Sequence, residues 1–372
     1  MLFILIIILF FALMRLAVVA ANLATKQWLG FNHIAGQHRV SVLIPARNEE
    51  TNIGRLLHEV QQAELTPELE IAEVLVYDDL STDSTAEVVQ REAEQWSSIR
   101  LIRGESLPEG WLGKNHACHR LAAEATGNWL LFLDADVQVA PRFLADAIGF
   151  AEQHELHLLS LFPVQIMRSL GEWMVVPLMN WILVSLLPLI LIRLNGRSSL
   201  SAANGQFMLF RADSYRKNLW HSQVKSHPVE DILICRVMKK HNLKVATLLS
   251  GGQVSCRMYS CFGAAMRGFS KNVGQFFSNS LIWMTTFLLL TTLLPFVMLF
   301  FLPAMTPVAL ALFLIYFCLA LLIRVGVSRL SRQNMIINLI LWPLQQIVLL
   351  ILSVRWLRFR SGGKIEWKGR KV

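Results

Sequence analysis

Two pairs of acids stand where an apolar run stops. Asp78 and Asp79 follow Val74-Leu75-Val76-Tyr77, and Asp134-Ala135-Asp136 follows Trp129-Leu130-Leu131-Phe132-Leu133. Short apolar runs bounded by turn formers read as buried strands, so each pair is expected at a strand's carboxyl end. Asp134 and Asp136, two carboxylates in one exposed turn, can share Mg²⁺ or Mn²⁺, which prefer oxygen ligands and bridge carboxylates to substrate phosphates. The plainer duty, capping the next helix, would need only one Asp from each pair. Gly113-Lys114-Asn115 opens a helical stretch, so backbone N–H groups and the Lys114 ammonium can both face a diphosphate. It is no P-loop: Pro108 occupies the first glycine position and Asn115 replaces Ser or Thr, and no GxGxxG occurs. Further on, Glu230-Asp231 precedes the helical stretch 232–240. Acids there suit the helix dipole, but one can also take the proton of an attacking hydroxyl, a poor nucleophile until deprotonated.

Strands at 40–46, 73–77, 99–102 and 129–133 alternate with helical stretches at 53–60, 86–96, 114–125 and 141–154. Ser81-Thr82-Asp83-Ser84-Thr85 supplies caps, and Pro141 suits a helix start. Alternation of this kind predicts a mostly parallel α/β sheet, whose ligands sit at the carboxyl ends of the strands. The acids fall there.

The rest of the chain is apolar. Of 372 residues 54% are hydrophobic and only 16% charged, with mean hydropathy +0.46; soluble domains carry about a quarter charged residues. Residues 1–25 predict an uncleaved N-terminal anchor, since no basic start or small-x-small site precedes Lys26. Stretches 281–302, 308–323 and 335–354 are each long enough, or nearly so, to cross about 30 Å of hydrocarbon, which predicts two to three C-terminal membrane helices within 281–354. The basic linker (Arg324, Arg329, Arg332) and the basic tail 355–372 prefer the cytoplasm. One stretch is therefore expected to be a hairpin, with Pro343-Leu344-Gln345-Gln346 as its break. The net charge of +9 clusters beside apolar segments, which favours a lipid surface over nucleic acid. Five cysteines without a CxxC pair predict free thiols. His116-Ala117-Cys118-His119 is not expected to bind metal, because on a helix these side chains diverge. Trp28, Trp173, Trp356 and Trp367 read as interface anchors.

In order, Val42-Leu43-Ile44-Pro45-Ala46-Arg47-Asn48-Glu49-Glu50, Asp78-Asp79-Leu80-Ser81-Thr82-Asp83-Ser84-Thr85, Gly113-Lys114 and Asp134-Ala135-Asp136 resemble the family 2 glycosyltransferases of GT-A fold. The likeness extends over about residues 38–275, so the domain is expected at 38–280. It implies a nucleotide-diphosphate sugar as donor, an inverting mechanism and a divalent metal (Mg or Mn) at the DxD residues Asp134 and Asp136. It also implies that Pro45, Ala46, Arg47 and Glu49 line the nucleotide pocket, with Asp78 or Asp79 at the base, Asp134 with them and Lys114 near the diphosphate. Asp231 would be the general base, with Glu230 orienting it or the acceptor. The QxxRW segment of many processive relatives is missing; Cys256-Arg257-Met258-Tyr259-Ser260 and Arg267 to Asn272 stand there instead. A single transfer is expected, and Arg257, Arg267 and Lys271 would neutralise the leaving diphosphate or sit at anionic headgroups.

Asp136 and Asp231 must share one side of the bilayer, so an even number of crossings separates them. The apolar stretch 173–194 is therefore expected to be interfacial or re-entrant, broken at Pro177 and Pro188, beside a lipid acceptor. This arrangement, with the closing Trp367-Lys368-Gly369-Arg370, is similar to glycosyltransferases associated with hopanoid and carotenoid biosynthesis. The expectation is a multi-pass inner-membrane enzyme with its catalytic domain in the cytoplasm. The alternatives are a polyprenyl-phosphate sugar synthase and a non-catalytic scaffold keeping a degenerate transferase domain.

Overall fold

The computed structural model describes residues 1–360, 366–367 and 370–371. The remaining residues of the basic tail, Lys368 and Gly369 of the closing motif among them, and the side chains of Trp367 and Arg370 lie outside the described residues. Ten strands build the sheet domain: β1 (His38–Ala46), β2 (Leu69–Asp78), β3 (Ile99–Arg103), β4 (Trp129–Leu133), β5 (Val137–Val139), β6 (Leu158–Phe162), β7 (Val164–Gln165), β8 (Phe207–Arg211), β9 (Val245–Leu249) and β10 (Val254–Cys256). Seven form the main sheet in the order β3-β2-β1-β4-β8-β6-β9. All neighbours in it run parallel except β8, which is antiparallel to β4 and β6. A mixed sheet with helices packed on it agrees with the α/β class expected from the sequence. A second sheet, β5-β10-β7, sits just beyond the end of β4.

Alternation along the strands decides which core each residue enters. Val42, Ile44, Leu131 and Leu133 face a core shared with the helices Ile53–Gln61 and Phe143–Gln153. Leu43, Leu75, Leu130 and Phe132 face the opposite way, with Ala117 and Leu121 of the helix Gly113–Glu124. That second core runs on without interruption into Leu5, Ile8, Val327 and Leu352. The sheet domain and the long apolar helices are thus one packed body on this face.

Among the described residues, three helices are long and apolar enough to cross a membrane: Leu2–Ala24, Leu281–Phe300 and Pro307–Leu330. The middle one carries a π-turn at Leu289–Leu293, next to Pro295, which cannot donate to the helix ladder. The first and third lie close together at Gly326, where a Cβ would come 2.4 Å from Val19 Cγ1. After the second and third of these helices the chain is back beside the sheet domain. The guanidinium of Arg332 accordingly lies against Gly252, in the turn after β9.

The apolar stretch around 173–194 is divided into three short helices, Leu170–Val175, Pro177–Leu186 and Ile190–Leu194. The longest has ten residues, about 15 Å of rise against about 30 Å of hydrocarbon. It is buried from Pro177 to Ser185 and packs on the Leu2–Ala24 and Pro307–Leu330 helices. Asn22 ends it: its amide donates to the carbonyls of Val184 (2.9 Å) and Leu187 (3.0 Å) and accepts from the Leu189 N–H (2.8 Å). The stretch 335–354 also divides, into Met335–Ile340 and Trp342–Arg360. Its break falls at Leu341, two residues before Pro343.

Candidate active site

β1 and β2 end in register, Pro45 opposite Tyr77 and Ala46 opposite Asp78. Beyond them the chain turns through Asn48 and Leu80, both with positive φ (53° and 54°). Arg47 braces the turn after β2: its Nη1 donates to the Asp79 carbonyl (2.5 Å) and lies 3.9 Å from the Asp79 carboxylate. Asp78 accepts from the Ser81 N–H at 3.1 Å. The Glu49 carboxylate accepts from Asn52 Nδ2 (2.8 Å), while its N–H donates to Thr85 Oγ1 (2.8 Å). Asp78 and Asp79 are buried, so this edge holds two acids that water barely reaches.

A second cluster forms between β4 and β8. Lys114 reaches Asp134 with Nζ 2.7 Å from Oδ1 and 2.9 Å from Oδ2, and lies 3.3 Å from Glu230 Oε1 and 3.4 Å from the Gly205 carbonyl. The N–H of Gly205 donates to Asp231 Oδ2 at 2.9 Å, and the Ile232 N–H donates to Oδ1 at 2.8 Å. Four charged residues from three distant parts of the chain thus surround one glycine. Burial alone would lower the Lys114 pKa; Asp134 and Glu230 overcome it and hold the ammonium well above its usual range. For Asp231 burial pushes the pKa up, the Glu230 charge adds to it, and the result is about 7 against the N–H bonds and Lys114.

Asp136 lies one turn beyond. Gln206 Nε2 donates to Cys256 Sγ (2.9 Å) and approaches Asp136 Oδ1 at 3.5 Å, while Gln206 Oε1 is buried without a hydrogen-bond partner. Among the described residues no three His, Cys, Asp or Glu side chains gather as a metal site. Asp136 and the unpaired Gln206 carbonyl are hard oxygen donors, a set that fits a cation completing its shell with substrate phosphates. Asp134, with both oxygens on Lys114, would join only by giving up part of that pair.

Between the clusters, Tyr77 Oη lies 3.5 Å from His116 Nδ1, and the Trp111 ring packs on His116 and His119. Cys118 is buried and its thiol is pushed up by burial. Arg257 instead pairs at 2.7 Å with Glu172, which is fully buried and capped by Ser169. Gly205 and Gln206 were not singled out from the sequence, and Cys256 was read only as a free thiol and as part of the segment that replaces QxxRW. A glycine and an amide immediately before an apolar strand were the available signal.

Residues 41–219 match the model of the family described as Glycosyl transferase family 2. The chain is 27% identical over 243 residues to a 4,4'-diaponeurosporenoate glycosyltransferase of Staphylococcus haemolyticus, covering 63% of this chain and 60% of that protein. A protein of the same name from Staphylococcus aureus strain N315 is 28% identical over 255 residues, 68% of this chain and 64% of the relative. The chain thus spans less than two thirds of these curated relatives' length. A solved mannosyltransferase from Pyrobaculum calidifontis, in complex with GDP-Man and Mn2+, aligns with 94% of this chain and 99% of its own at TM-score 0.49 and 18% identity. The expected motifs stand at the carboxyl edge of the expected sheet, within the residues 41–219 that are similar to the glycosyl transferase family 2 model.

Proposed function

We propose that this protein is a membrane-bound glycosyltransferase that moves a single sugar, with inversion, from a nucleotide-diphosphate sugar to a lipid acceptor at the cytoplasmic face of the inner membrane. The observation that carries this reading is the convergence of Lys114, Asp134, Glu230 and Asp231 around Gly205. The edge where β1 and β2 end, with Pro45, Ala46, Arg47 and Glu49 beside Asp78 and Asp79, is the nucleotide end. Asp136 and Asp134, with the Gln206 carbonyl, would hold Mg²⁺ or Mn²⁺, which when bound offsets charge developing on the departing diphosphate.

Asp231 is the general base. A carboxylate with pKa near 7 is half ionised at neutral pH and basic enough to accept a hydroxyl proton. Glu230 keeps it basic by charge repulsion, and Lys114 restrains that effect. The acceptor approaches from the membrane side, where the broken Leu170–Leu186 segment joins the sheet domain to the bundle. Relatives named for 4,4'-diaponeurosporenoate favour an apolar, carotenoid-like acceptor.

Membranes containing the protein should transfer sugar from a nucleotide-diphosphate donor to extracted lipid in a Mg²⁺- or Mn²⁺-dependent way. Asp231→Ala and Asp136→Ala should each reduce transfer by about a hundredfold or more, the scale expected of a lost base or charge stabiliser. Undiminished transfer by both variants would refute the assigned roles. An already anionic acceptor, such as a polyprenyl phosphate, would show itself by tolerating Asp231→Asn.

A further inference from the structure

The membrane bundle contains two buried arginines with no acid beside them. Arg15 is 5% exposed and Arg324 is 3% exposed, and among the described residues neither pairs with a carboxylate within 4.0 Å. They lie over one indole: the guanidinium carbons are 4.4 Å (Arg15) and 4.8 Å (Arg324) from the Trp181 ring centre. Arg15 also donates to Ser185 Oγ from Nε (3.1 Å) and Nη2 (2.6 Å). Arg324 Nη1 donates to the side-chain oxygen of Gln345. Neutral partners and a ring face soften the cost of a buried charge, but they do not neutralise it.

The unpaired atoms give the direction. Arg324 and Gln333 both line a cleft with Trp181, Ser328 and Asn338. Arg324 Nε and Gln333 Nε2 are buried with no hydrogen-bond partner, and Gln333 is only 8% exposed. Both orphans are donors. Buried polar groups in native proteins are nearly always satisfied, and the cleft, with about 10 Å³ of free space, admits about one oxygen atom; beside a cation that lacks an acid, an oxygen carrying negative charge is favoured. Depth then restricts its source. Arg324 is six residues from the domain-side end of its helix, about 9 Å of rise, where headgroups give way to acyl chains.

We infer that Arg324 and Gln333, backed by Trp181 and Arg15, form a binding site for the anionic oxygen group, carboxylate or phosphate, of a membrane lipid. The site is separate from the acidic cluster of the transfer centre, and the inference does not depend on that reading, because occupancy can be measured with no sugar donor present. The full-length protein would be reconstituted in phosphatidylcholine nanodiscs doped with oleate, with phosphatidylglycerol or with neither, and retained lipid counted by native mass spectrometry. Wild type should retain oleate or phosphatidylglycerol in preference to phosphatidylcholine, and the preferred one tells carboxylate from phosphate. Arg324→Gln should weaken retention by about tenfold, as loss of a charge-assisted hydrogen bond predicts. Gln333→Leu should weaken it several-fold at unchanged thermal midpoint, which keeps the test decisive if the arginine variant folds poorly; Lys244→Gln, on the exposed surface, should change nothing. Equal retention of anionic and neutral lipid by wild type, or anionic retention untouched in a folded Gln333→Leu and Arg324→Gln, would overturn the site. Equally tight binding of free inorganic phosphate would overturn its assignment to lipid.

Discussion

At the scale of single residues, the feature that distinguishes this site is the contrast between two adjacent acids. Glu230 is engaged by Lys114 at 3.3 Å, whereas Asp231 is held by two backbone N–H groups and raised to about 7. The sign of the pH effect follows. A base works ionised, so transfer should be lost as pH falls through 7 and reach its plateau above it. Removing the neighbouring charge with Glu230→Gln should move that limb to lower pH, because Glu230 repulsion is the second cause of the elevation after burial. A pH profile of kcat/KM for wild type and variant checks this; a limb that stayed in place, or moved up, would disprove the coupling. Gly205 makes a second case. A Cβ there would lie 3.0 Å from both Lys114 Nζ and Glu230 Oε1, closer than ordinary contact. Gly205→Ala should therefore push the ion pair apart and lower kcat by about tenfold or more, with the fold intact by circular dichroism. Of these residues the acids were legible in the sequence, because paired carboxylates that end an apolar run exceed what helix capping needs. The glycine was not, because its importance lies in what two remote side chains do around it.

Among elements, the parallel strands and their intervening helices were legible because each is short, apolar and punctuated. Strands β1 to β4 appear where their patterns place them, within a few residues. The antiparallel β8 was not anticipated: Phe207-Met208-Leu209-Phe210 is as apolar as its neighbours, and strand direction leaves no mark on composition. The segment around 173–194 shows the converse. Hydropathy gives a span, yet the structure gives three short helices, because Pro177 opens a helix and Asn22, far away in sequence, terminates it. Tertiary partners of this kind cannot be read locally. The contact that holds this junction together is testable at Gly326. Any side chain there meets Val19 of the N-terminal helix, so Gly326→Leu should cost about 1–3 kcal/mol by overpacking, read as a lowered unfolding midpoint in detergent. A midpoint equal to wild type would mean that the two helices are free to separate.

For the whole molecule, the number of crossings decides where everything else lies. On the proposed topology the three candidate spanning helices, one before the sheet domain and two after it, leave the domain and residues beyond 330 on one side. A third C-terminal crossing would have sent the basic tail across, against the preference of Arg and Lys for the cytoplasm. The described end of the Trp342–Arg360 helix is tied back instead, Arg360 Nη1 donating to the Asn279 carbonyl at 3.1 Å. The chain's own cysteines can report this arrangement. Cys118, Cys235 and Cys256 are buried, whereas Cys261 and Cys318 are exposed. Cys261 immediately precedes the helix Phe262–Asn272 on the domain side, and Cys318 lies in the middle of the candidate spanning helix Pro307–Leu330, where on the proposed topology its exposure is to lipid. A membrane-impermeant maleimide should then modify one thiol in inside-out vesicles, the one lost in Cys261→Ser, and none in intact cells. Thiolates react and thiols in hydrocarbon do not ionise, so Cys318 should stay unmodified from either side until detergent is added. Labelling of Cys261 from outside intact cells would invert the proposed orientation, and labelling of Cys318 in sealed vesicles would remove Pro307–Leu330 from the membrane and with it the count on which the topology rests.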